Sequence, residues 1–180
     1  MEHALIVVDM QNDFVDGVLG SPEAVAILPA VVNKIKNHEG KIIFTRDTHG
    51  EDYMDTREGK HLPVPHCIKG TKGWEIKDEV WAAAAGKPDV WVIDKPTFGS
   101  TELYERLLDY ADDHALGHVT LIGVCTDICV ISNAMLLKAA LPEIDVAVDA
   151  ACCAGVTPDS HDTALSAMKA CQIAIENQRG

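Results

Sequence analysis

The chemistry of this chain gathers first around Cys129, in the run GVCTDICV (Gly123–Val130), where an apolar stretch gives way to a helical pattern. A thiol in the first turn of a helix meets unpaired N–H groups and the positive end of the helix dipole, which favour the thiolate. Such a thiolate is a competent nucleophile at neutral pH. A lone cysteine is more often a small buried apolar side chain, but Asp9 and Lys95 reverse that balance. Asp9 closes the apolar run Ala4–Val8, and Lys95 follows Val90–Ile93. A carboxylate can accept the thiol proton, and an ammonium can hold that carboxylate and stabilise anionic forms. Cys125 is the competing nucleophile. Its place earlier on the turn better suits its backbone N–H, which with that of Cys129 can form an oxyanion hole. Cys67, Cys152, Cys153 and Cys171 lack comparable neighbours.

A second cluster lies in the polar stretch Arg46–Gly73, which contains Asp47-Thr-His49, then Glu58, then His66. Carboxylate and imidazole ligands on one loop suit a single divalent cation, with water completing the shell. Zinc is the first expectation, with iron or manganese as alternatives. Asp52, Asp55 and His61 are competing donors for the same set. Structureless loops of this length inside a compact domain are usually functional.

The elements that must carry these groups follow from apolar patterning. The continuous apolar run Ala4–Val8 reads as a strand buried on both faces, and Lys41–Thr45, Val90–Ile93, Val119–Val124 and Asp145–Val148 as further strands, with Gln172–Ile175 as a sixth. Between them, Ser21-Pro22 opens a short turn, and Pro29 starts a helix that stops at Gly40. Further helices are expected over Asp78–Ala85, after Ser100, over Ile128–Leu141 and over Asp159–Lys169. This alternation predicts one domain, residues 1–180, of three-layer α/β/α architecture around a mainly parallel sheet. Strand order does not follow from sequence alone. Even so, Asp9, Asp47, Lys95 and the Cys125–Cys129 turn all follow strands, and ligands in open parallel sheets bind beyond the carboxyl ends of the strands.

Composition sets the surroundings. The 180 residues carry a formal net charge of -13, a field that repels phosphate backbones and anionic lipid, so neither nucleic acid nor membrane is an expected partner. The first residues have no basic, long apolar leader, and the region Val119–Leu141 is interrupted by Asp127, Asn133 and Lys138. The expectation is a soluble, cytoplasmic protein with six reduced cysteines.

Four ordered motifs carry a resemblance that covers nearly the whole chain. VVDMQNDF (Val7–Phe14), the D-x-H loop with PHCIKGTKGW (Pro65–Trp74), DKPTFGS (Asp94–Ser100) and GVCTDICV resemble the isochorismatase-like cysteine hydrolases, and within them most closely the nicotinamidases. The resemblance implies a six-stranded sheet, a homo-oligomer and hydrolysis of a small amide, nicotinamide first. A same-fold amidohydrolase for another small carboxamide or a carbamoyl or ureido compound is the alternative. It further implies Asp9, Lys95 and Cys129 as catalytic triad, a cis peptide before Cys125, and Asp47, His49 and His66 as metal ligands. Glu58 matches an acidic third ligand, and Phe14 an aromatic residue that packs on the substrate ring. Thr48, Gly50 and Pro63 stand where many nicotinamidases carry an aromatic residue, a proline and an aromatic residue.

Overall fold

Alternation along the first strand decides the layering. In β1 (Glu2–Val8), Ala4, Ile6 and Val8 pack into one buried apolar cluster while Leu5 and Val7 pack into another. A strand buried on both faces must sit mid-sheet, with helices above and below. A computed structural model describes residues 1–178; residues 179 and 180 of the expected single domain lie outside the described residues.

All six strands are parallel, in the order β3-β2-β1-β4-β5-β6. The others are β2 (Lys41–Asp47), β3 (Val90–Lys95), β4 (Leu116–Val124), β5 (Asp145–Ala154) and β6 (Ala174–Glu176). On one face lie α1 (Asn12–Val15), α2 (Pro22–Ala26), α3 (Leu28–Asn37) and α5 (Asp78–Ala83). The other face is covered by α6 (Thr101–Asp113), α7 (Ile131–Ala140) and α8 (Pro158–Ala170). Caps explain several starts: Ser21 accepts from the Ala24 N–H, Ser100 from Leu103, and Thr157 forms a reciprocal box with Ser160. None of the described helices is long and apolar enough to cross a membrane.

Three expectations need correcting. β2, β3 and β5 run further than their apolar runs, so Asp47 and Lys95 are the last residues of their strands and stand opposite each other in register. The stretch Arg46–Gly73 is not structureless. It holds a 3-10 turn, Tyr53–Asp55, and the short helix α4 (Arg57–His61), capped by the Thr56 hydroxyl. The helix expected from Ile128 instead begins with a widened π-type turn, Thr126–Val130, in which the Val130 N–H reaches the Cys125 carbonyl.

Strand order reverses between β1 and β4, and the two strands approach closely there. Gly123 has φ 115°, and a Cβ on it would sit 2.1 Å from the Val8 carbonyl oxygen. Gly70 has φ 84° but open space around it. Gly123→Ala is therefore expected to cost about 2–4 kcal/mol and Gly70→Ala about 1–2 kcal/mol, read from urea denaturation midpoints. Equal costs would mean that the β1–β4 approach is not the constraint.

Candidate active site

The carboxyl ends of four adjacent strands bring their polar residues to one point, the Lys95 ammonium. Its Nζ lies 2.6 Å from Asp9 Oδ2, 3.5 Å from Cys129 Sγ and 3.6 Å from Asp47 Oδ1, and donates to the Thr97 carbonyl at 3.0 Å. Lys95 and Asp9 are both fully buried. Asp9 takes φ 48°, a left-handed conformation that aspartate tolerates at modest cost, and this turns the chain just beyond β1. Thr45 fixes the result: its hydroxyl donates to Asp9 Oδ1 at 2.7 Å.

Proton affinities follow from this enclosure. Burial pushes the Asp9 carboxyl up; Lys95 opposes the shift and Asp47 adds to it. Burial alone would pull the Lys95 ammonium down, but Asp9, Cys129 and Asp47 outweigh it and hold its proton tightly. The Cys129 thiol is pushed well above its ordinary value by burial and by Asp9, with only Lys95 opposing. This direction runs against the sequence expectation of a thiol lowered by a helix N-terminus, and desolvation is its largest cause. Burial likewise pushes the Cys125 thiol up to about 12. The Val124–Cys125 peptide is cis, as the resemblance implies.

Asp47, His49, Glu58 and His66 form the second group, with one donor atom from each within 4.8 Å of all the others. His49 Nε2 lies 2.9 Å from Asp47 Oδ2, and His66 Nε2 lies 3.4 Å from the same oxygen. Glu58 Oε1 stands 3.6 Å from His49 Nε2 and 3.9 Å from His66 Nε2. Helix α4 delivers Glu58 because Gly59 lets the chain lie against the Tyr53 carbonyl, 2.1 Å from where a Cβ would be. Tyr53 in turn packs its ring on those of His49 and His66. The competing donors Asp52, Asp55 and His61 do not join this group.

The donor set fits a divalent cation. Asp47 Oδ1 is buried with no hydrogen-bond partner, and His66 Nδ1 is engaged by the Val64 carbonyl at 2.7 Å, leaving Nε2 to face the carboxylates. Burial alone would raise the Asp47 carboxyl, but hydrogen bonds from His49 and His66 and the charge of Lys95 hold it below the usual carboxylate range. For His66, burial is outweighed by Asp47, the Val64 carbonyl and Glu58, so the ring keeps its proton above the ordinary histidine value.

Between the two groups lies a cavity of about 320 Å³ whose lining includes Phe14, Leu62, Phe98, Ile128, Cys125 and Cys129. Phe14 packs near His66, ring centroids 5.4 Å apart. Thr48, Gly50 and Pro63 do not line this cavity. Leu62 and Phe98, which sequence reasoning missed, supply apolar wall from elsewhere. So was Gln11: its buried amide accepts from the Asp47 N–H at 2.7 Å and donates to the carbonyls of Asp47 and Trp74, both at 2.8 Å. The only available hint was its place two residues after Asp9. The Cys125–Cys129 turn is also held from α8, where Thr126 Oγ1 meets His161 Nδ1 at 2.7 Å, and from the loop before it, where the Val156 N–H donates to Asp127 Oδ1.

Comparison with known proteins agrees with this fold. The family model of the isochorismatase domain matches residues 3–178. An isochorismatase family protein of Bacillus subtilis is 33% identical over 148 residues, covering 75% of this chain and 78% of its own length. A nicotinamidase of Schizosaccharomyces pombe is 28% identical over 168 residues, covering 73% and 74%. Among solved structures, the pyrazinamidase of Pyrococcus horikoshii in complex with zinc is similar with a TM-score of 0.77 and 29% identity, over 97% of this chain and 98% of that one.

A cation entering the second group competes with a proton for the His66 ring. Affinity for a divalent ion is therefore expected to rise as pH climbs through the raised His66 value, with protons released on binding. Isothermal calorimetry in buffers of different ionisation enthalpy reads both effects. Affinity that is flat between about pH 6 and 9 would contradict the protonated ring.

Proposed function

The chain belongs to the isochorismatase domain family, and from that premise we propose that it is a cysteine amidohydrolase that converts a small ring carboxamide, nicotinamide first, into the carboxylate and ammonia. The observation that carries this reading is the meeting of Asp9 and Cys129 on the buried Lys95 ammonium, with Cys129 in the wall of a mostly apolar cavity. A neutral aromatic amide suits that cavity, with Phe14 against the ring.

Asp9, whose proton affinity is raised, accepts the Cys129 thiol proton as Sγ attacks the carboxamide carbon. The N–H groups of Cys125 and Cys129 hold the oxygen that becomes negative. When the tetrahedral intermediate collapses, the C–N bond breaks, the nitrogen takes the proton from Asp9 and ammonia leaves a thioester. Asp9, again a carboxylate, then removes a proton from a water that attacks the thioester carbon. Collapse releases the carboxylic acid product and returns the proton to sulfur. Lys95 holds Asp9 in place and offsets the negative charge that moves between carboxylate and sulfur.

Asp47, His49, Glu58 and His66 would hold one divalent ion, zinc first. Such an ion supplies a Lewis-acid point toward which a ring nitrogen can be oriented. The net charge of the two groups supports this, since the carboxylates of Asp9, Asp47 and Glu58 face only one permanent cation, Lys95.

Cys129→Ala is expected to lower nicotinamide deamidation at least about a thousandfold without changing metal content. The His49→Ala plus His66→Ala variant is expected to lose the metal, as read by elemental analysis. Near-normal turnover by Cys129→Ala would remove the nucleophile assignment, and full metal content in the double variant would remove the ligand set. Ammonia release from a carbamoyl compound but not from nicotinamide would shift the substrate class.

A further inference from the structure

An asparagine in the interior of an apolar helix is costly. Its side chain competes for backbone groups, and a buried amide without partners loses several hydrogen bonds to water. Asn133 sits in α7 with no exposed surface. Its Oδ1 accepts from the Ser100 N–H at 2.9 Å, and its Nδ2 donates to the carbonyls of Cys129 at 2.8 Å and Phe98 at 3.1 Å. Those partners fix which end of the amide is nitrogen, because a carbonyl cannot donate. Three of the four bonds an amide can make are therefore spent on joining two segments.

Both segments belong to the site. Cys129 is in the nucleophile turn, while Phe98 and Ser100 are in the strap that follows Lys95. The strap is held at its other end by the Lys95 ammonium on the Thr97 carbonyl. It also lies tight on α7, since a Cβ at Gly99 would come 2.7 Å from Leu136 Cδ1. Phe98 lines the cavity yet is 44% exposed, so packing on its ring does little to place it; its backbone must. We propose that Asn133 is a positioning residue that locks the Phe98 strap to the Cys129 turn, and that Phe98 thereby serves as a specificity-determining wall for the substrate ring. This rests on the amidohydrolase reading above.

One amide then performs two separable tasks. The bond to the Cys129 carbonyl holds the turn that aims sulfur, and the bonds to Phe98 and Ser100 hold the wall. A threonine at 133 can still bond the carbonyl four residues back but is too short to reach the strap.

The test is steady-state kinetics of the metal-loaded enzyme on nicotinamide for Asn133→Leu, Asn133→Thr and Phe98→Ala. Asn133→Leu is expected to lower kcat at least about tenfold and raise KM. Asn133→Thr is expected to recover most of kcat while KM stays raised to the level of Phe98→Ala. Asn133→Leu with kcat and KM both near wild type would overturn the proposal, as would Asn133→Thr no better in kcat than Asn133→Leu. If Asn133→Leu does not fold, the matched KM values of Asn133→Thr and Phe98→Ala decide the wall, and unmatched values overturn it. If the wild-type enzyme hydrolyses no carboxamide, the amidohydrolase reading fails, and amide hydrogen exchange then tests the lock alone. Ser100 N–H exchange should quicken in Asn133→Thr while the β4 core is unchanged, and unaltered Ser100 exchange would refute it.

Discussion

A single ammonium with no access to water organises this protein. An unpaired buried lysine costs several kcal/mol, so Lys95 can exist where it does only if partners able to accept its hydrogen bonds converge on it. They come from four strand ends: Asp9 after β1, Asp47 at the end of β2, Thr97 after β3 and Cys129 after β4. The register of the sheet makes that possible, since Asp47 and Lys95 are direct partners across β2 and β3. The close passage of β4 along β1 at Gly123 brings the Cys129 turn within reach. Because Lys95 lies beside both Asp9 and Asp47, these two carboxylates share one countercharge, and a change in either is felt by the other.

That sharing also decides where the proton rests. A helix N-terminus would favour a standing thiolate, but burial among carboxylates raises the Cys129 thiol and the Asp9 carboxyl together. Sulfur and carboxylate in this enclosure both hold a proton more tightly than they would in water. The other cysteines are also free, and Cys152 and Cys153, though adjacent in sequence, pack into opposite apolar clusters of the sheet.

Much of this was readable from residue order. Apolar runs followed by a charged or reactive residue marked the strands and told which end carries the site, because a side chain at the carboxyl end of a parallel strand leaves the core. The donor residues Asp47, His49, Glu58 and His66 were legible as residue types, and they came together with Asp52, Asp55 and His61 left outside. Strand order was not legible, since it depends on crossovers that leave no local pattern. Helix α4 was hidden because five residues show no helical period, and its existence depends on Tyr53 packing behind it. The widened turn at Thr126–Val130 carried no periodic signal, and neither did Gln11 or Asn133. Each of those amides is a lone polar side chain whose partners lie far along the chain or across a helix turn, and only the tertiary structure says whether it is satisfied.

The most direct test of the central claim is to trap the covalent step. Metal-loaded enzyme mixed with nicotinamide, quenched in acid within the steady state and examined by intact and peptide mass spectrometry, should carry a nicotinoyl group on the peptide containing Cys129. The same peptide from an Asp9→Asn variant should carry none. A nicotinoyl group on Cys125 alone would contradict the account. So would steady turnover with undiminished labelling of Cys129 in the Asp9→Asn variant, because sulfur would then be losing its proton without the carboxylate paired to Lys95.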